Sequence, residues 1–326
     1  MSPTYAPDRT ALLRIDDLVV EYPTAGGTIH AVSGVSFDVR RGETLGIVGE
    51  SGSGKSTLLR AVLRLTPVTG GAVHYGDHEL TSLTGEEMRQ LRPDLQMIIQ
   101  DPIASLNPRR TVRELVAEGL RIWPQRVTDT VDEQVRRGLD AVSLDVDLVG
   151  DRRPKSFSGG QCQRIAIARA LALQPRVLFC DEPVSALDVS VQARILNLIR
   201  ELRRTLDLTV VFVSHDLGVV KNVSDRVMVL YLGRVCELAP AEQFFAAPAH
   251  PYSRLLLSAA PGSGQAPEHE QTGEPPSPLD PPSGCRFRSR CPQAQEICAT
   301  DVPEPRDIGN NHFVACHFPL LPTVRD

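Results

Sequence analysis

Three groups of residues have types and spacings that could do chemistry. Gly49-Glu50-Ser51-Gly52-Ser53-Gly54-Lys55-Ser56-Thr57 fits the pattern G-x-x-x-x-G-K-[ST] of a phosphate-cradling loop. Its glycines let successive backbone N–H groups converge on phosphate oxygens, and a following helix would add positive potential. Lys55 is suited to neutralise the β- and γ-phosphates of a nucleotide, and Ser56 to ligate Mg²⁺. The second group closes the apolar run Val177-Leu178-Phe179-Cys180 with Asp181-Glu182. An acidic pair at the carboxyl edge of a sheet can hold a Mg²⁺ shell through Asp181 and polarise an attacking water through Glu182. Taken alone, the same pair could be a solvated strand end or a helix cap. The third group is Cys285, Cys291, Cys298 and Cys316, spaced C-x5-C-x6-C-x17-C.

Positioning such groups requires an α/β scaffold, and the first 260 residues read as one. Short β-branched runs at Thr44–Val48, Val177–Cys180 and Thr209–Val213 alternate with helical patterns, as a mostly parallel sheet demands. The phosphate pattern lies between the first of these runs and a helix predicted over Thr57–Leu65. Val189–Leu206 has apolar residues at helical spacing, with arginines on the other face. Between Pro102 and Lys155 strands disappear, which predicts an inserted helical subdomain over about 101–172. Residues 261–283 carry seven prolines within the first 22 positions and read as a linker. A small cysteine-rich tail module over 284–326 follows. The 326 residues carry a net charge of −5 and are 41% hydrophobic, ordinary for a soluble globular chain. The longest apolar run, Val227–Leu232, is far short of the roughly 18 residues a spanning helix needs. The first ten residues lack the apolar core of a secretion signal. The mild acidity also argues against a nucleic-acid partner.

Ser158-Gly159-Gly160-Gln161, with Phe157 before it, resembles the signature of ABC-transporter ATPases. The resemblance covers roughly residues 11–260 and implies a P-loop ABC-type nucleotide-binding domain. It further implies that two such domains pair head to tail, each ATP lying between one domain's loop and the other's signature. By the same resemblance Tyr22 stacks on adenine, Gln100 senses Mg²⁺ and the attacking water, and His215 contacts the γ-phosphate. Ser185-Ala186-Leu187-Asp188 is similar to the loop joining the two ATP sites across the dimer. The stretches from Gln100 to Arg109, Phe157 to Arg164 and Cys180 to Ser190 most resemble ATPase subunits of bacterial dipeptide and oligopeptide importers, of the F type. That family implies two membrane-spanning permease subunits, a second ATPase subunit (paralogous or identical), and an extracytoplasmic binding protein reached indirectly. The expected location is peripheral, on the cytoplasmic face of the inner membrane.

For the four clustered cysteines, disulfides are disfavoured by the reducing compartment that the ATP motifs imply. Structural zinc, an iron–sulfur cluster and free thiols stay open. Related importer ATPases carry a similar Gly-Cys-x-Phe-x-x-Arg-Cys-Pro segment, here Gly284 to Pro292, and some hold a [4Fe–4S] cluster there. The resemblance therefore implies that cluster, with zinc as the alternative and His312 and His317 as possible further ligands. Arg286, Arg288 and Arg290 are expected either to offset its charge or to be solvated. Cys162, Cys180 and Cys236 are expected to be packing residues. A soluble ABC ATPase without a pore partner is the rival class, but this chain has neither long coiled coils nor a second ATPase domain. An importer of nickel chelates or glutathione is the rival substrate class.

Overall fold

Fully buried runs of branched residues make the central strands. Thr44–Val48, Val177–Asp181, Thr209–Val213 and Arg226–Tyr231 are buried at every position, as parallel strands covered on both faces must be. The computed structural model describes residues 5, 7–259 and 274–321, arranged as two units, residues 1–82 with 213–326 and residues 83–212.

In the first unit, Thr44–Val48 runs parallel to Arg226–Tyr231, with Val48 opposite Val229. Arg226–Tyr231 continues antiparallel into Arg234–Pro240, which pairs with Phe313–Val314 and, through it, with Arg306–Asp307. A second, antiparallel sheet has Leu13–Thr24 between Gly27–Val39 and Gly70–Tyr75. Leu13, Ile15, Leu18 and Val20 form its inner row. The helix after Thr44–Val48 spans Lys55–Val62 and starts two residues earlier than its apolar pattern predicts. Gly54, at φ 100°, turns the chain directly into it, so Lys55 and Ser56 lie in the first helical turn.

In the second unit, Leu95–Ile98 pairs parallel with Val177–Asp181, which neighbours Thr209–Val213. Between the first two strands lie helices, among them Val112–Ile122, Val131–Asp140 and Gly159–Leu171. Each opens on a reciprocal capping box, Thr111 with Glu114, Thr130 with Glu133 and Ser158 with Gln161. Gln134, buried on the second of these, donates to the Ala172 carbonyl at 2.8 Å and ties the helices together.

The cysteine-rich segment is not a separate module. Its strand Phe313–Val314 extends the sheet of the first unit, and Ala315 N–H donates to the Cys236 carbonyl at 2.8 Å. About 40 residues bury too little to stand alone, so this segment borrows the core beside it. Of the proline-rich stretch, residues 261–273 lie outside the described residues. Pro278, further along, accepts from His30 N–H at 3.1 Å. Among the described residues no helix is long and apolar enough to cross a membrane.

Candidate functional site: a phosphate loop, an acidic strand end and a four-thiol recess

Close backbone approach, more than conformational freedom, explains the glycines of the phosphate loop. A Cβ on Gly49 would lie 2.2 Å from the Leu230 carbonyl oxygen, and one on Gly54 would lie 2.3 Å from that of Ala31. Gly52 faces open space but sits at φ 78°, in the left-handed region. Buried Ser53 donates its N–H to the Glu50 carbonyl at 3.2 Å and accepts from Gly233 N–H at 2.8 Å. The ammonium of buried Lys55 donates to the carbonyls of Gly49 and Glu50 at 2.7 and 2.8 Å, so it lies along the loop's inner side. Ser51 is exposed, while Ser56 and Thr57 are half-buried. The helix begins with no acidic side chain in its first turn, leaving its positive end available to an anion.

Two further expected residues lie in the same unit. Tyr22 is half-buried on Leu13–Thr24, opposite Ile29. His215 is exposed, and the N–H of Ser214 before it donates to Ile47 at 3.2 Å, which brings it to the carboxyl end of Thr44–Val48.

The remaining residues belong to the second unit. Ile98 pairs with Cys180, so the parallel register carries Gln100 alongside Glu182, and Gln100 Nε2 donates to Glu182 Oε2 at 3.3 Å. Asp181 ends its strand almost fully buried, whereas Glu182 bends away at φ 47°, uncommon for a residue with a Cβ. Ser158 caps the helix of Gly159, Gly160 and Gln161, and that helix end is partly open to solvent. A Cβ on Gly159 would touch Leu187 at 3.4 Å, and one on Gly160 would meet Val191 at 2.4 Å. The second glycine thus allows the signature helix to pack on the segment after Glu182. There Ser185 Oγ donates to the Glu182 carbonyl at 3.1 Å, and Leu187 N–H to that of Val184. Ala186 and Asp188 are exposed, and Asp188 opens the helix Val189–Leu206.

All four clustered cysteines are free thiols and line one recess, walled also by Phe287 and Phe318. Burial pushes the thiols of Cys285 and Cys291 up, and that of Cys316 to about 12, with the other sulfurs adding to the shift. Among the described residues, however, no group of three or more His, Cys, Asp or Glu side chains is arranged to hold a metal ion. Neither zinc nor a cluster therefore has an assembled ligand group among the described residues. Of the two histidines, His317 lines the recess and His312 does not. His312 pairs with buried Glu237 at 2.7 Å, and His317 Nε2 lies 3.0 Å from the Asp301 carbonyl. Cys162, Cys180 and Cys236 are buried, and burial raises the pKa of each thiol.

The arginines between the cysteines depart most from expectation. Arg290 forms a two-pronged ion pair with Glu50 of the phosphate loop, and Arg286 donates to Leu232 and Ser33. Sequence reasoning could not find these contacts, because Arg290 and Glu50 are 240 residues apart and share no local pattern.

Comparisons with known proteins converge. Residues 32–185 match the family model described as ABC transporter, and residues 236–298 match that of the oligopeptide/dipeptide transporter C-terminal region. A putative peptide import ATP-binding protein of Brucella ovis is 48% identical over 310 residues, covering 94% of this chain and 98% of its own. The oligopeptide transport ATP-binding protein OppF of Escherichia coli is 47% identical, covering 90% of this chain and 92% of its own. AppF, an oligopeptide transport ATP-binding protein of Bacillus subtilis, is 43% identical, with coverage of 96% and 99%. Among solved structures, a dimeric ATP-binding cassette in a post-hydrolysis state with ADP and Pi superposes with a TM-score of 0.64 at 30% identity. It covers 70% of this chain and 98% of the cassette.

Proposed function

This chain belongs to the ATP-binding subunits of ABC transporters, in the branch marked by the oligopeptide/dipeptide C-terminal region, and from that premise we propose that it hydrolyses ATP to drive import of di- or oligopeptides through separate membrane subunits. The observation that carries the reading is the phosphate loop, with backbone approach that admits only glycine at positions 49 and 54 and a buried lysine along its inner side.

In this reading the first unit binds the nucleotide. Gly49 to Thr57 direct N–H groups at the phosphates, Lys55 neutralises their charge, and Tyr22 stacks on the base. His215 contacts the γ-phosphate, and Ser56 ligates Mg²⁺. Asp181 joins the Mg²⁺ shell, and Glu182 is the base that accepts a proton from water. That water attacks the γ-phosphorus, the bond to the bridging oxygen breaks, and ADP leaves with the electron pair. Mg²⁺, when bound, neutralises charge developing on the phosphate oxygens. The Gln100 amide, hydrogen-bonded to Glu182, orients the carboxylate. Ser158 to Gln161 meet the ATP of a second ATPase subunit, paralogous or identical, with Ser185 to Asp188 at the same interface. Ile99 and Ile103, exposed apolar neighbours of Gln100, suit a permease subunit and so a peripheral place on the inner membrane, with the binding protein on its far side.

The Glu182→Gln variant should keep ATP binding and lose at least about 100-fold in turnover, as removal of a general base does. Unchanged hydrolysis would remove Glu182 from that role.

We also propose that Cys285, Cys291, Cys298 and Cys316 close around a [4Fe–4S] cluster, an arrangement they do not adopt in this structure. The support is that all four thiols line one recess. Bound there, the group would cross-link residues 285–298 to Cys316 and could carry one electron. Anaerobically purified protein should be brown and hold about four irons, consistent with four-cysteine ligation. Colourless protein with one zinc would overturn the cluster in favour of the zinc alternative.

A further inference from the structure

Phosphate loops are usually held by the strand and helix that flank them. Here a third hold comes from the far end of the chain, through Cys285-Arg286-Phe287-Arg288-Ser289-Arg290-Cys291. The buried guanidinium of Arg290 donates from Nη1 to Glu50 Oε2 at 2.8 Å and from Nη2 to Glu50 Oε1 at 2.9 Å. Such a fork fixes the carboxylate in plane as well as in distance. The Glu50 N–H in turn donates to Tyr252 Oη at 2.9 Å, so both ends of this loop residue are held.

The clamp itself is packed in place. Phe287 is buried against Tyr231 and Tyr252, with ring centroids 5.3 Å from each. Arg290 Nη1 also donates to Tyr231 Oη at 3.4 Å. Four residues earlier, Arg286 donates to the Leu232 carbonyl and to Ser33 Oγ, while the adjoining Gly233 N–H holds the Ser53 carbonyl. The C-terminal segment therefore reaches the loop directly at Glu50 and, through the Leu232–Gly233 turn, at Ser53.

Charge gives this arrangement its consequence. Glu50 puts a carboxylate inside a loop whose ligand carries several negative charges. Unpaired, it would repel the phosphates and free the loop to move; paired with Arg290, it is neutralised and fixed. We propose that Arg290 is a positioning residue for the nucleotide site, acting through Glu50, so that ATP affinity depends on the C-terminal segment. The proposal rests on the phosphate loop being the ATP site.

The test uses the full-length chain purified with its membrane subunits and measures the KM for ATP and kcat. Arg290→Gln should raise KM about tenfold, or about 1.4 kcal/mol, with kcat changed less than twofold. Adding Glu50→Gln removes the unpaired charge and should recover most of that loss, which a merely structural role for Arg290 would not predict. Should Arg290→Gln not assemble, Arg290→Lys keeps the charge without the fork and should raise KM about threefold. A KM within twofold of wild type in whichever of these variants assembles would overturn the proposal, as would no recovery in the double variant. Lys55→Ala separates the two failures. If it leaves nucleotide binding intact, the site assignment falls. If it abolishes binding while the Arg290 variants match wild type, only the positioning role falls.

Discussion

At the scale of residues, Glu182 combines two demands that conflict. Its carboxylate must meet Gln100, and its backbone is held at φ 47°, where a side chain typically costs about 1–2 kcal/mol. Backbone strain of this kind is retained when the surrounding structure enforces it. Glu182→Gly should therefore leave the urea midpoint unchanged or higher while hydrolysis is lost. A marked fall in the midpoint would show that the conformation is not strained. The residues of the phosphate loop are legible in the sequence because eight consecutive positions, Gly49 to Ser56, carry the whole pattern. The conformation of Glu182 was not, because nothing local distinguishes a left-handed glutamate from an extended one. Nor was its bond to Gln100, 82 residues away, which depends on the register of two parallel strands.

At the scale of elements, apolar runs mark the central strands Thr44–Val48, Val177–Asp181 and Thr209–Val213 but not the half-exposed Leu13–Thr24 and Gly27–Val39, and the period of Val189–Leu206 locates that helix to its ends. The first helix, Lys55–Val62, starts two residues before and ends three before the expected Thr57–Leu65, because its start depends on Gly54 rather than on any apolar residue. Buried polar ties were invisible. Arg226 holds Asp38 at 3.0 Å and Glu43 at 2.7 Å, all three buried, across more than 180 residues of chain. His250 is another such tie. Its Nδ1 accepts from Tyr252 N–H at 3.0 Å and caps the helix Pro251–Ser258, and its own N–H donates to Glu237 at 2.8 Å. Burial lowers the His250 pKa to about 4, although the nearby Glu237 carboxylate opposes the shift. The unfolded chain takes up this proton below about 6.5 and the folded chain only near 4, so stability falls as pH drops between those values. At about 1.4 kcal/mol per pH unit the loss reaches up to about 3 kcal/mol. His250→Asn keeps an acceptor for the cap and removes the titration. Its urea stability should lose less than wild type between pH 6.5 and 4, and parallel slopes would contradict this account.

At the scale of the whole molecule, the C-terminal segment changed most between sequence and structure. Its cysteines were visible as a spacing, and their convergence on one recess follows from the way the segment folds over Arg234–Pro240. Its integration was not visible, because Arg290, Phe287 and His312 reach partners far along the chain. Read locally, three arginines among four cysteines look like counter-charges for a metal group. In the structure two of them hold the surroundings of the phosphate loop. An ATPase whose loop is braced by its own C-terminal segment still has to transmit hydrolysis to a pore on other chains. The most direct measurement is peptide uptake into vesicles reconstituted with this chain and the proposed membrane subunits and binding protein. Uptake should require ATP on the side bearing this chain and should stop when Glu182→Gln replaces the wild-type chain. Peptide accumulation that persists with Glu182→Gln, or without ATP, would contradict the account.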